Sequence, residues 1–327
     1  MIGFGISGTG WMADQMAQAI RRSGEARIVY VASASDARAR ERGAEWGAAA
    51  HGDFTAMLDD PSVDAIYVAG HNMTHAAQSI AALDRGKAVL CEKPFATSLS
   101  DSAAVIAAAK RNRALFMEAV APPFLPAFIS AAQRARAQGG IWRVKASFGY
   151  ATSRAEHPWL FGPCGGVLAD RAVYPLMLAT ILLGPVRSSD RAVDRDGDGV
   201  DIAARFAIEH EGGGRSDVAV SMVEQLANCL TIETAQGVVQ LAPPLLTARR
   251  LAVGHRERAF SQHPVARRIA DFGARLAGGW HGYGASPYLP ELSHFCALLR
   301  DGRGESPVIS FDRMIEVARL VEAARTA

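Results

Sequence analysis

The sequence predicts two joined architectures. The first is a doubly wound α/β domain on a parallel sheet over residues 1–120. The second is an α+β domain with an open, mostly antiparallel sheet over 121–327. Three observations carry this reading. Short β-branched runs alternate with helical repeats through the first 120 residues, as βαβ units do. The break Ala121-Pro122-Pro123 ends that alternation. Beyond it the runs alternate apolar and polar, and two of them flank the turn EGGGRSD, as in an antiparallel hairpin with one wet face.

The elements follow in order. IGFGIS (2–7) is a strand, and Gly8-Thr9-Gly10 a turn. Met12, Met16 and Ile20 recur every fourth residue with Ala13 and Ala17 beside them, a helix that Gly24 stops. RIVYVA (27–32) is the next strand and DARARERGAEWG an exposed helix. DAIYVA (64–69), KAVLCE and ALFMEAV are buried strands, separated by the helices HAAQSIAALDRG and SDSAAVIAAAKRN. In the second half a helix is expected around 126–138, a half-wet strand over IWRVKASFGY, and one long helix over GGVLADRAVYPLMLATILLG. DIAARFAIEH, SDVAVSMV and CLTIETAQGVVQL are strand-like. Residues 243–285 are basic and Gly-rich with weak helical periodicity, an insertion or lid. ELSHFCALLRDG and FDRMIEVARLVEAAR close the chain as helices, the last free to pack back on the first domain.

Composition narrows the function classes. The 35 Lys and Arg nearly balance the 33 Asp and Glu, which leaves no general nucleic-acid footprint. No window approaches the roughly 18 uninterrupted apolar residues of a membrane span, so no stable membrane insertion is expected. The opening MIGFGISGTGW lacks the basic start and long apolar stretch of a signal peptide. The four cysteines are scattered without a CxxC pair, and the histidines show no metal-ligand spacing. No metal site is expected, and a reducing cytoplasm is the simplest setting.

A strand, then Gly8-x-Gly10-x-x-Ala13, then a helix is the dinucleotide-binding arrangement. The first glycine makes the turn and the second admits a pyrophosphate to the backbone. The third position, being small, lets helix and strand pack. The strand that should end in an acid for the adenosine ribose ends near Ser33 instead. A serine does not repel a 2′-phosphate, and Arg38 or Arg40 offers it a partner. The lean is to NADP over NAD, against the alternative that both arginines are solvated charges.

These residues, with Tyr67-Val68-Ala69, Asn72, His75, Glu92-Lys93-Pro94, Met117-Glu118-Ala119 and Gly165-Gly166-Val167-Leu168-Ala169-Asp170-x-x-x-Tyr174-Pro175, resemble the glucose–fructose oxidoreductase, inositol dehydrogenase and rhizopine-catabolism (Gfo/Idh/MocA) family. The resemblance spans nearly the whole chain and is weakest over 243–285. It implies a Rossmann domain that binds nucleotide through Gly8, Thr9, Gly10, Trp11, Met12, Ser33, Arg38, Asn72, Glu92 and Lys93. His75 either touches the nicotinamide side or satisfies a helix N-terminus. The resemblance also implies that Lys93 lies beside the reacting carbon, often after a cis Lys-Pro bond. Asp170 and Tyr174, four residues apart on a helix, are the implied proton-transfer pair. A free tyrosine titrates near pH 10, so it needs a cation nearby, a role read onto Lys93.

Three positions depart from the family pattern. Gly70-His71 stands where Thr-Pro is usual, Pro123 where an Arg is usual, and Ala172, with Arg171 before it, where a glycine is usual between the Asp and the Tyr. Arg171 is read as a partner for a substrate anion or as a solvated charge. The expected activity is an NAD(P)-dependent oxidoreductase moving a hydride to or from a secondary alcohol or ketone carbon of a sugar, cyclitol or diol. Such a protein is expected as a homodimer or homotetramer. Two other classes stay open: a nucleotide-binding regulator without turnover, and a glycosidase-like enzyme holding NAD. Seven arginines between Arg249 and Arg275 face only Glu257 and Asp271. They read as a solvated face, an anionic-substrate lid, a subunit contact or a contact with membrane phospholipid.

Overall fold

The computed structural model describes residues 1–326. The chain divides into two compact units. One joins Met1–Val120 to Gly284–Ile315, and the other joins Ala121–Tyr283 to the stretch from Glu316 onward. The sequence reading put 284–315 in the second domain.

The first unit is built on β1 (Ile2–Ser7), α1 (Trp11–Ser23), β2 (Ala26–Ala32), α2 (Asp36–Trp46), β3 (Ala50–Gly52), α3 (Phe54–Asp59), β4 (Ala65–Val68), α4 (Asn72–Asp84), β5 (Ala88–Glu92), α5 (Leu99–Asn112) and β6 (Phe116–Ala119). The six strands form one parallel sheet in the order β3-β2-β1-β4-β5-β6. The order reverses direction between β1 and β4, the topological switch point of a doubly wound fold. Every residue of β1, β4, β5 and β6 is buried, so these strands read as continuous apolar runs. The helices start where polar caps allow: Ser35, Asp53 and Ser98 each accept a backbone N–H of the first turn of α2, α3 and α5.

The second unit holds α6 (Pro126–Ala137), β7 (Ile141–Gly149), α7 (Val173–Leu183), β8 (Val186–Arg195), β9 (Asp201–His210), β10 (Arg215–Ser221), β11 (Leu230–Thr234), β12 (Gly237–Leu241), β13 (Leu251–Gly254) and α8 (Pro264–Leu276). Its seven strands run in the order β13-β12-β11-β7-β10-β9-β8. All neighbours are antiparallel except β7 and β10. The register lines up Val144, Ala146 and Phe148 of β7 with Ser216, Val218 and Val220 of β10, and these with Ile208, Phe206 and Ala204 of β9. That inner face packs on α7, which is apolar all round and nearly all buried, the mark of a core helix. The opposite face is wet and laced with ion pairs, among them Arg143–Asp217 at 2.7 Å and Lys145–Glu233 at 2.7 Å.

Two closing helices complete the chain, α9 (Leu289–Arg300) and α10 (Phe311–Arg325). α9 packs in the first unit against α1. Phe295 tilts against Phe4 with ring centroids 5.9 Å apart. Ser293 and Arg300 both bond the Glu25 carboxylate at 2.7 Å. The unit boundary falls within α10, between Ile315 and Glu316.

Candidate active site

At the end of β1 the chain turns at Gly8, whose φ is +117°. A Cβ there would run into the Ala69 carbonyl, so the turn requires glycine. Gly10 is different: a Cβ would meet nothing within 4 Å. It sits at the N-cap of α1 with no side chain bonded to the first turn. Thr9 is half-buried, and Gly10 and Trp11 are exposed beside it. Ala13, the third small position, is fully buried. Open backbone over a helix N-terminus is an anion site. These residues fit the pyrophosphate of a dinucleotide.

β2 ends one residue before Ser33. The Ser33 hydroxyl accepts the Ser35 N–H at 3.2 Å, and Ser35 in turn caps α2. Arg40 pairs with Asp36 at 2.9 Å. Arg38 stands exposed on the first turn of α2. Ser33 and Arg38 thus stand at this strand tip, with Arg40 engaged by Asp36.

Asn72 opens α4, half-buried after the exposed His71. His75, for which the sequence leaves a nicotinamide-side contact and a structural role both open, and Glu92, expected as a nucleotide contact, each hold internal hydrogen bonds. His75 is 1% exposed, with Nδ1 2.9 Å from the Pro94 carbonyl and Nε2 3.2 Å from the Gly70 carbonyl. Burial lowers its pKa, and a neutral ring donates to one of the two carbonyls. The imidazole thereby braces the Gly70 loop against the turn that follows Lys93. Glu92 is buried and accepts the Tyr67 hydroxyl.

Lys93 leaves the C-terminal end of β5 half-buried, and the Lys93–Pro94 bond is cis. Around this turn lie two buried carboxyls, Glu118 and Glu291, to which the sequence reading assigns no role. Glu118 on β6 accepts the Phe95 N–H at 3.2 Å, and burial pushes its pKa up to about 7. Glu291 on α9 is buried with Oε1 lacking a hydrogen-bond partner among the described residues, and burial holds its pKa well above the ordinary range. Burial raises Glu92 too, while the Lys93 charge pulls Glu92 and Glu118 back down. An acid inside the apolar run FMEAV was the available signal for Glu118. Such shifted carboxyls beside a half-buried lysine are a functional-site feature.

In the second unit, Asp170 lies in a π-helical turn, Leu168–Ala172, that leads into α7. The expected single helical segment runs unbroken from Gly166 to Leu183, widened within by this π turn, of a kind frequent at functional sites. Asp201 on β9 accepts the Leu168 N–H at 2.7 Å and fixes the start of this turn. Gly166, at φ +87°, must be glycine because a Cβ would run into that carboxylate. Tyr174 is half-buried, edge-on to Phe148 with centroids 5.7 Å apart. Asp170 stays partly exposed, 3.4 Å from the Arg171 guanidinium.

Arg171 corrects the sequence reading. It is fully buried, donating to the Tyr150 carbonyl at 2.7 Å, the Ser221 carbonyl and the Thr152 hydroxyl, with the Tyr150 ring 3.8 Å beneath it. It is a structural tie, neither solvated nor ligand-facing.

Among the described residues no helix is long and apolar enough to cross a membrane, and no group of three or more His, Cys, Asp or Glu is arranged to hold a metal. Residues 2–120 match an oxidoreductase family with an NAD-binding Rossmann fold. The trans-1,2-dihydrobenzene-1,2-diol dehydrogenase of Homo sapiens is 30% identical over 318 residues, covering 95% of this chain and 91% of that one. The scyllo-inositol 2-dehydrogenase (NADP(+)) of Bacillus subtilis (strain 168) is 34% identical over 196 residues, 56% of this chain and 59% of that one. A levoglucosan dehydrogenase, solved with NADH and L-sorbose, shares the fold at a TM-score of 0.82 and 21% identity, over 99% of this chain and 95% of that one.

Proposed function

Because the chain belongs to the Gfo/Idh/MocA oxidoreductase family, we propose that it is an NAD(P)-dependent dehydrogenase acting on a secondary alcohol, or the matching ketone, of a sugar, cyclitol or diol. The observation that carries the reading is one sheet holding both parts of the chemistry. Open backbone at Gly10 heads α1, and Lys93 leaves the C-terminal end of β5, the end where open α/β sheets take ligands.

A bound nicotinamide supplies the hydride chemistry. The chain's own residues do the rest. Gly8, Thr9 and Gly10 with the first turn of α1, Trp11 and Met12, hold the pyrophosphate. Asn72 serves the nicotinamide side. The Lys93 ammonium orients the substrate oxygen and stabilises the negative charge that develops there. His75 holds the turn that aims Lys93. Tyr174, oriented with Asp170, takes the hydroxyl proton in oxidation and returns it in reduction.

Within the pair NAD and NADP we propose NADP. No acid ends β2, and Arg38 is exposed next to Ser33. The Bacillus relative carries NADP(+) in its name. We place the protein in a reducing cytoplasm as a homodimer or homotetramer, since no disulfide joins its cysteines and family members commonly pair through the second-unit sheet; light scattering tests the assembly.

The test is a fluorescence titration with NADPH and NADH, followed by a screen of sugars, cyclitols and diols for changes in nicotinamide absorbance. Tighter NADPH binding that Arg38→Ala weakens, with NADH unaffected, supports the cofactor reading. Nucleotide binding without turnover on any of the three classes returns a regulator. Release of a leaving group at constant nicotinamide absorbance returns the glycosidase-like class.

A further inference from the structure

α8 carries its large apolar side chains outward. Val265, Ile269, Phe272 and Leu276, spaced four, three and four residues apart, form one stripe. They are 58%, 68%, 66% and 76% exposed, and no residue of the helix is buried. The opposite side is small, with Ala266, Ala270 and Ala274 lining a hollow of the second unit. Arg250 tethers the helix from below, bonding the Arg267 carbonyl at 3.4 Å and the Asp271 carboxylate at 3.0 Å.

The charges around the stripe have one sign. Asp271 is the only acid in the helix, and Arg250 neutralises it. Arg268 and Arg275 are exposed along one border of the stripe. At the C-terminal end Arg275 stacks over Trp280 at 4.4 Å, and Arg249 over Tyr283 at 4.0 Å. An apolar stripe, a basic border and amphipathic aromatics together match the headgroup region of an anionic bilayer. Thirteen residues span roughly 20 Å, too short for the ~30 Å core of a bilayer, so the helix would lie in the surface. A second copy of the chain matches less well. A two-fold contact through the stripe brings Arg268 and Arg275 against the same residues of the other copy, with no unpaired acid in the helix to meet them.

We propose that α8 docks the protein reversibly on anionic phospholipid, with Val265, Ile269, Phe272 and Leu276 among the acyl chains and Arg268 and Arg275 at the phosphates. The proposal is independent of the catalytic reading. It is tested by flotation of the full-length protein with vesicles of phosphatidylglycerol and phosphatidylcholine, and with phosphatidylcholine alone. Co-flotation with the anionic vesicles only, weakened by salt, is expected. Ile269→Asp with Phe272→Asp should weaken it at least about a hundredfold, the loss that follows from two large apolar side chains. Nucleotide affinity and molar mass by light scattering should not change. No flotation with anionic vesicles, or equal flotation with neutral ones, overturns the proposal. So does a fall in molar mass in the double variant, which assigns the stripe to a second copy.

Discussion

Glu118→Gln should stabilise the protein at alkaline pH and leave it unchanged in acid. Glu118 is fully buried, and its pKa rises from the ordinary 4.5 to about 7, chiefly through desolvation. The folded state therefore holds this proton more tightly than the unfolded state does. The sign follows: the stabilising contribution of the protonated carboxyl is complete below about pH 4.5 and is lost as pH rises through about 7. A gap of that size corresponds to about 3 kcal/mol at pH 9. Glutamine keeps the shape and an acceptor for the Phe95 N–H, and it cannot ionise. Urea unfolding of both proteins at pH 4 and pH 9 measures the difference. The variant should gain up to about 3 kcal/mol at pH 9 and nothing at pH 4. An equal difference at both values would refute burial of an ionisable Glu118 as the cause.

Three further outcomes are expected. Lys93→Met should keep the circular dichroism spectrum and nucleotide binding while kcat falls by about a hundredfold or more, the usual scale for losing a charge or proton-transfer group at the reacting atoms; near-normal turnover removes Lys93 from the chemistry. Tyr174→Phe should lower kcat far more than nucleotide affinity, read by steady-state kinetics beside a fluorescence titration. Arg171→Met should lower stability by about 3 kcal/mol or more in thermal or urea unfolding, because the Tyr150 and Ser221 carbonyls lose a buried cationic donor.

The parallel sheet was legible because burial on both faces makes each central strand a continuous apolar run. The edges were not. β3 has three residues, too few for a pattern. β8 is mostly exposed and pairs only with β9, so its VRSSDRAVDR carries the charge of a protected edge rather than a core signal. CLTIETAQGVVQL read as one strand-like run because the turn between β11 and β12 is only two residues long. In the site, the glycine turn and Lys93 were readable as local order along the chain. Arg171 was not, since its acceptors come from Tyr150, Thr152 and Ser221, and sequence position gives a charged residue no mark of burial. His75 was ambiguous for the same reason: its two carbonyl partners lie on different loops.

The return of residues 284–315 to the first unit bears on how such a protein can be cut and recombined. A fragment ending at Val120 keeps all six parallel strands and still lacks part of its own interior. Phe4 loses Phe295, Glu25 loses Ser293 and Arg300, and the Phe116 N–H loses the Gly304 carbonyl, 3.1 Å away. The nucleotide-binding half is thus not a transplantable cassette. A chimera that exchanges it must carry two separate stretches of the gene, and a split-protein design must keep α9 with the first 120 residues.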